Sequence, residues 1–163
     1  QVNPKVSFPL GEAPVQVDAQ GQALLAITIQ EKDENRMLSA YTADGRLVLS
    51  NMVAETVFLT GETTVVRTDY TLPDAPASVS KVLIDNTFQN LFVADKTGHI
   101  HYYAINNPEQ ARLVQSVNAV SSGSQITAME FLVGTVSLVV GSSKGELSQW
   151  FLLRDQHKNL FLA

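Results

Sequence analysis

The chain has 163 residues, a formal net charge of −5, no cysteine and 45% hydrophobic residues. That length fits one domain with a core that needs no disulfide or metal staple. The missing cysteines exclude a disulfide framework, a thiolate zinc site, an iron–sulfur cluster and a cysteine nucleophile. The acidic balance and the scattered lysines and arginines argue against a nucleic-acid partner.

The predicted elements are nearly all strands. Runs rich in Val, Ile, Leu, Thr, Phe and Tyr alternate with Gly, Asp, Asn and Ser turns. In chain order they are 23–30, 37–42, 46–50, 64–70, 79–84, 90–94, 99–105, 126–131, 138–141 and 146–152. Asn107-Pro108-Glu109 offers an N-cap, a proline at a first helical position and an early acid. The preferred reading there is a turn into an outer strand over 112–117. The longest uncharged stretch, 131–143, holds Gly134, Thr135, Ser137, Gly141 and Ser142. It is too short and too polar for a spanning helix, which needs ~20 mostly apolar residues.

The strands repeat as a unit. Leu38 to Leu49, Leu91 to Tyr103 and Leu138 to Trp150 each read as a buried strand, a tight turn ending in glycine, and an alternating strand. The turn glycines are Gly45, Gly98 and Gly145, at intervals of about 50 residues. Glycine supplies the positive φ that joins two twisted antiparallel strands without splaying them. Another strand precedes each hairpin, and a more polar one follows, near 56–60 or 64–70, 111–117 and 159–162. Four antiparallel strands per repeat make the blade of a β-propeller.

The repeat resembles a degenerate WD40-type or quinoprotein-like blade. Leu138 to Trp150 follows the pattern L-x-x-x-S-x-D-G-x-[IVL]-x-[IVL]-W well, and Leu91 to Tyr103 follows it with tyrosine in place of tryptophan. The first copy lacks the aromatic residue. The Gly-His and Trp-Asp dipeptides are missing from their usual places. The expected fold is all-β: about three antiparallel four-stranded blades, a partial β-propeller, with repeat units over approximately 20–70, 78–118 and 124–163. Residues 6–17 are expected to form an outer strand of a preceding or closing blade.

The segment 126–155 carries a second resemblance. Its run Gly-x-x-x-Gly-x-x-Ser-Gln-Trp-Phe, Gly141 to Phe151, is similar to the enlarged permease subunit of the proteobacterial phosphate ABC transporter, the PstC type. Some members of that family carry a large propeller-like insert between membrane helices. The resemblance implies that 1–163 is a single propeller-like domain excised from a larger membrane protein. The domain would sit on the periplasmic side of the bacterial inner membrane and be non-catalytic. Its expected partners are other transporter subunits or the periplasmic phosphate-binding protein. The start at Gln1 and the close in the apolar run Leu160-Phe161-Leu162-Ala163 agree with that expectation. The alternative is a propeller scaffold unrelated to transport.

Other constellations are weaker. His99 and His101 lie two apart on a strand, a spacing some metal sites use; His157 is distant and no acid completes a set, so the expectation is two edge histidines and no metal. Asp44, Asp85 and Asp95 flank turns and read as backbone caps rather than an acid–base pair. Ser121-Ser122-Gly123-Ser124 lacks the Gly-x-Ser-x-Gly order of a nucleophile elbow and reads as an inter-blade loop. Trp150, Tyr102 and Tyr103 read as core or blade-to-blade packing rather than a ligand stack. Arg36, Arg46, Arg67, Arg112 and Arg154 are too dispersed to predict a phosphate site. No catalytic residue, cofactor or metal ligand is predicted. Open strand edges make a homodimer the expected self-association.

Overall fold

The computed structural model describes residues 16–18, 20–132 and 137–163. Among them the chain forms three antiparallel meanders of four strands. The first blade is β1 (Leu24–Lys32), β2 (Asn35–Thr42), β3 (Leu47–Thr56) and β4 (Thr63–Thr71). The second is β5 (Lys81–Ile84), β6 (Asn90–Ala94), β7 (His99–Ala104) and β8 (Arg112–Asn118). The third is β9 (Ile126–Phe131), β10 (Ser137–Ser142), β11 (Leu147–Arg154) and β12 (Leu160–Leu162). A 3-10 turn at Pro108–Gln110 leads into β8, so the helix-start residues and the predicted outer strand are both present. The strand expected over 6–17 lies outside the described residues except for its last two positions.

Each blade turns on the same hairpin. The residue three before the glycine, Thr42, Asp95 or Ser142, accepts a side-chain bond from the backbone N–H four residues on. Its own backbone N–H donates to the carbonyl of that same later residue, at 2.9 Å in all three turns. The glycine closes the turn at φ +87, +92 and +79. Short polar side chains that bond locally to the backbone favour this geometry over a continuing strand.

The blades meet at their inner strands, with β1 against β5 and β5 against β9, while β8 approaches β12 on the outside. Alternation along each strand sends one side chain in two into a seam. The first seam joins Met37, Tyr41, Leu47 and Leu49 to Val82, Ile84, Leu91, Val93, Tyr103 and Ile105. The linker between these blades is pinned by two tyrosines. Tyr41 Oη donates to the Pro76 carbonyl at 2.9 Å, and Tyr103 Oη to the Asp74 carbonyl at 2.9 Å. The second seam joins Phe92, Ile100 and Tyr102 to Ile126, Met129, Leu138, Val140 and Leu162, with Trp150 packed at its margin. Gln115 stitches the outer ends: its Nε2 donates to the Leu162 carbonyl, and its Oε1 accepts from Leu162 N at 2.7 Å.

The first blade departs from expectation in one respect. Strand β3 runs on to Thr56, so 56–60 is the end of that strand and its turn, and β4 alone is the fourth strand. The polar Ser50-Asn51 pair reads as a break in sequence. In the sheet Ser50 Oγ donates to Asp69 Oδ1 at 2.6 Å, and pairing continues from Val48–Thr71 to Thr56–Thr63.

Candidate functional site

The histidines are the first place where the fold changes the sequence reading. Strand β7 is paired on both sides, to β6 and to β8, so His99 and His101 are not on an edge. An acid does stand beside them. The β6–β7 turn brings Asp95 back over β7, with its Oδ2 2.8 Å from His101 Nε2. His101 Nδ1 lies 2.7 Å from Ser116 Oγ. That chain fits the tautomer in which Nε2–H donates to the carboxylate and Nδ1 accepts from the serine. Asp95 Oδ1 also accepts from the backbone of Thr97 and His99 and from Thr97 Oγ1. Burial pushes the Asp95 carboxyl up, but the bonds from His101, His99 and Thr97 outweigh it and hold the pKa below the ordinary value. The network ties one turn to two strands. Among the described residues no group of three or more His, Asp and Glu side chains is arranged to hold a metal ion.

The other turn acids behave alike. Asp85 accepts from Gln89 N, Asn90 N and Asn90 Nδ2. Asp44 takes the Thr42 hydroxyl and Arg46 Nε. Ser121 to Ser124 lie in the β8–β9 connection, where Lys144 Nζ donates to the Ser122 carbonyl at 2.7 Å.

The arginines are where the tertiary structure adds most. Arg46 is neutralised, reaching both Asp44 and Asp18. Arg36 and Arg67 border a groove on the free face of the first blade, with Val17, Ile29, Leu38 and Met52 between them. Arg112 and Arg154, 42 positions apart in sequence, line one cleft of about 470 Å³ at the seam of the second and third blades. Lys158 joins them from the β11–β12 turn. Gln89, Asn106 and Asn159 supply amides to the walls, and Asn90 and Tyr102 form the floor. The floor is internally satisfied: Tyr102 Oη donates to Asn90 Oδ1 at 2.6 Å, and Asn90 Nδ2 donates to Asp85 Oδ2 at 2.6 Å. Among the described residues no carboxylate lines the cleft. In the sequence the missed signal is the coincidence of a strand start, a strand end and a turn on one rim, which only the blade register brings together.

The two ends of the array form the remaining surface. The register puts Ile27 beside Ala40 and Ile29 beside Leu38, on the face turned away from the second blade. Leu25, Ile27 and Ile29 are more than half exposed there. At the other end Leu147, Phe151 and Leu153 share the free face of the third blade, and all three are exposed. Among the described residues these exposed apolar side chains thus lie on blade faces, and the first and last strands of each sheet also keep one unpaired side.

No protein-family model and no curated protein matches the chain. Solved structures do. The WD40 repeats of RRP9 superpose with a TM-score of 0.57 at 11% identity, over 89% of this chain and 39% of that one. U3-55K gives a TM-score of 0.57 at 10% identity, over 90% and 41%. The Cps50 (Swd1) β-propeller domain of Myceliophteria thermophila gives 0.57 at 14% identity, over 87% and 44%. The chain thus spans about two fifths of the length of the propellers it matches. These likenesses show the fold, a partial WD40-type β-propeller of antiparallel four-stranded blades.

Proposed function

We propose that the chain is a non-catalytic interaction module, a section of a β-propeller that works by binding other protein surface. The observation that carries this reading is the pair of apolar end faces, Leu25, Ile27 and Ile29 at one end and Leu147, Phe151 and Leu153 at the other. Contiguous exposed apolar surface marks a place where protein docks. Around the turn carboxylates the hydrogen bonds run to backbone and neighbouring side chains, an arrangement that serves structure rather than proton transfer.

On a finer scale we read the parent as the permease subunit of a phosphate ABC transporter, with this domain on the periplasmic side and the phosphate-binding protein or another transporter subunit as partner. Its support is the run Gly141 to Phe151. In the fold that run spans the end of β10, its glycine turn and the first half of β11, and it places Leu147 and Phe151 on the free face. The alternative is a propeller scaffold unrelated to transport. A binding titration of the purified chain against the periplasmic phosphate-binding protein separates them. Saturable binding that Phe151→Glu weakens at least tenfold supports the transporter reading. Failure to bind that protein or the solubilised transporter leaves the scaffold. Turnover in a panel of esterase, glycosidase and dehydrogenase assays would overturn the non-catalytic reading.

A further inference from the structure

The cleft between the second and third blades has features that seam packing does not explain. The chain carries a net charge of −5, yet three cations from three separate places converge here with no carboxylate in the lining among the described residues. Arg112 opens β8, Arg154 closes β11 and Lys158 sits in the turn that follows. Among the described residues the Arg112 guanidinium makes no hydrogen bond or ion pair, and neither does the Lys158 ammonium. Arg154 spends one donor on the Lys158 carbonyl at 3.0 Å and keeps the rest. Two acids close in sequence to the lining are committed elsewhere: Asp85 to Gln89 and Asn90, and Asp155 to His157 and Asn159.

The turn that presents Lys158 is built and strained. Asp155 Oδ1 accepts from His157 N at 2.8 Å and Asn159 N at 2.9 Å. Lys158 N donates back to the Asp155 carbonyl at 3.0 Å. Lys158 is held at φ +64, a left-handed conformation that asparagine or glycine adopts at lower cost. The turn after β5 uses the same device, with Asp85 as its cap and Phe88 at φ +60. There the left-handed residue packs against the first seam. At Lys158 the same position delivers a charge to the cleft rim.

We propose that this cleft binds an acidic peptide segment of a protein partner. The proposal deepens the interaction-module reading and rests on it. Guanidinium groups match carboxylates with two parallel bonds. The wall amides of Gln89, Asn106 and Asn159 offer both donors and acceptors, which suits a peptide backbone. The cleft, of about 470 Å³, lies in the range of sites for multi-group ligands and has room for several side chains of a peptide.

The test is fluorescence anisotropy with two labelled peptides, Gly-Asp-Glu-Asp-Gly and its neutral counterpart Gly-Asn-Gln-Asn-Gly. The acidic peptide is expected to bind at low salt, with affinity falling as salt rises, and the neutral one at least tenfold more weakly. Arg112→Gln is expected to weaken binding at least fivefold. Lys158→Asn is expected to weaken it similarly while holding or raising the melting temperature, since asparagine suits the left-handed turn. Equal binding of both peptides, or binding of neither, overturns the proposal. So does inorganic phosphate that displaces the acidic peptide at matched ionic strength, or a Lys158→Asn variant that loses stability. Failure of the wild-type chain to bind the acidic peptide while it binds a protein partner through its end faces refutes the cleft alone; failure of the end faces to bind refutes the wider reading.

Discussion

Asp95 shows how a turn residue becomes a junction. Its carboxylate holds Thr97 and His99 through their backbone and His101 through its ring, and His101 reaches Ser116 on the next strand. Replacing Asp95 by alanine strips several charge-assisted bonds from a 7% exposed site, and about 2–3 kcal/mol of stability should be lost in urea unfolding. Its folded pKa lies below that of an ordinary aspartate, so its contribution is present above the ordinary value and vanishes as pH falls through the lower folded one. Acid titration of the wild type should show a stability loss below about pH 4 that Asp95→Asn reduces. Tyr103 is the alkaline counterpart. Burial, with Asp74 adding to it, pushes its hydroxyl from 10.0 up to about 12. A raised phenol contributes stability below the unfolded value and loses it as pH rises through the folded one. Unfolding midpoints should therefore decline between pH 10 and 12, and Tyr103→Phe should flatten that decline at the cost of its bond to Asp74.

The repeated hairpin is the element that makes a blade, and its copies are not equally tolerant. At Gly145, φ is +79 and a Cβ would meet open space. Gly145→Ala should cost only the left-handed penalty, about 1–2 kcal/mol. At Gly98, φ is +92 and a Cβ would run into the Val120 side chain and approach the Ser124 carbonyl at 3.3 Å. Gly98→Ala should cost at least 1 kcal/mol more, since the β8–β9 connection must shift as well. Chemical denaturation of the two variants beside wild type checks the difference. The strand pattern behind these hairpins was legible because alternation and local turn chemistry act over a few residues. The reach of β3 past Ser50-Asn51 was not, because it depends on Asp69 across the sheet.

Among the described residues the first and third blades each carry an exposed apolar face, a feature of the array rather than of one strand. Each seam is closed by the neighbouring blade, whereas Leu25, Ile27 and Ile29 on the first and Leu147, Phe151 and Leu153 on the third are exposed. We propose that these faces carry any self-contact of the chain, so Ile29→Lys and Phe151→Lys should lower association in sedimentation velocity while changing unfolding free energy by less than about 0.5–1 kcal/mol, because both side chains are exposed. A Leu91→Ala change in the first seam should instead cost about 2–5 kcal/mol, since Leu91 is fully buried. Unchanged sedimentation in the lysine variants overturns that proposal.

Fold class, blade count, the hairpin glycines and the capping role of Asp44, Asp85 and Asp95 all follow from interactions within a few residues, and the sequence alone determined them. The tertiary structure alone decided what depends on blades meeting. It joined Gln115 on β8 to Leu162 on β12, because the outer strands of two blades meet only at a formed seam. It brought Arg112, Arg154 and Lys158 to one rim, because β8 and β12 are neighbours only once the seam has formed. Contacts between residues distant in sequence are set by packing of whole blades, and no local pattern encodes them.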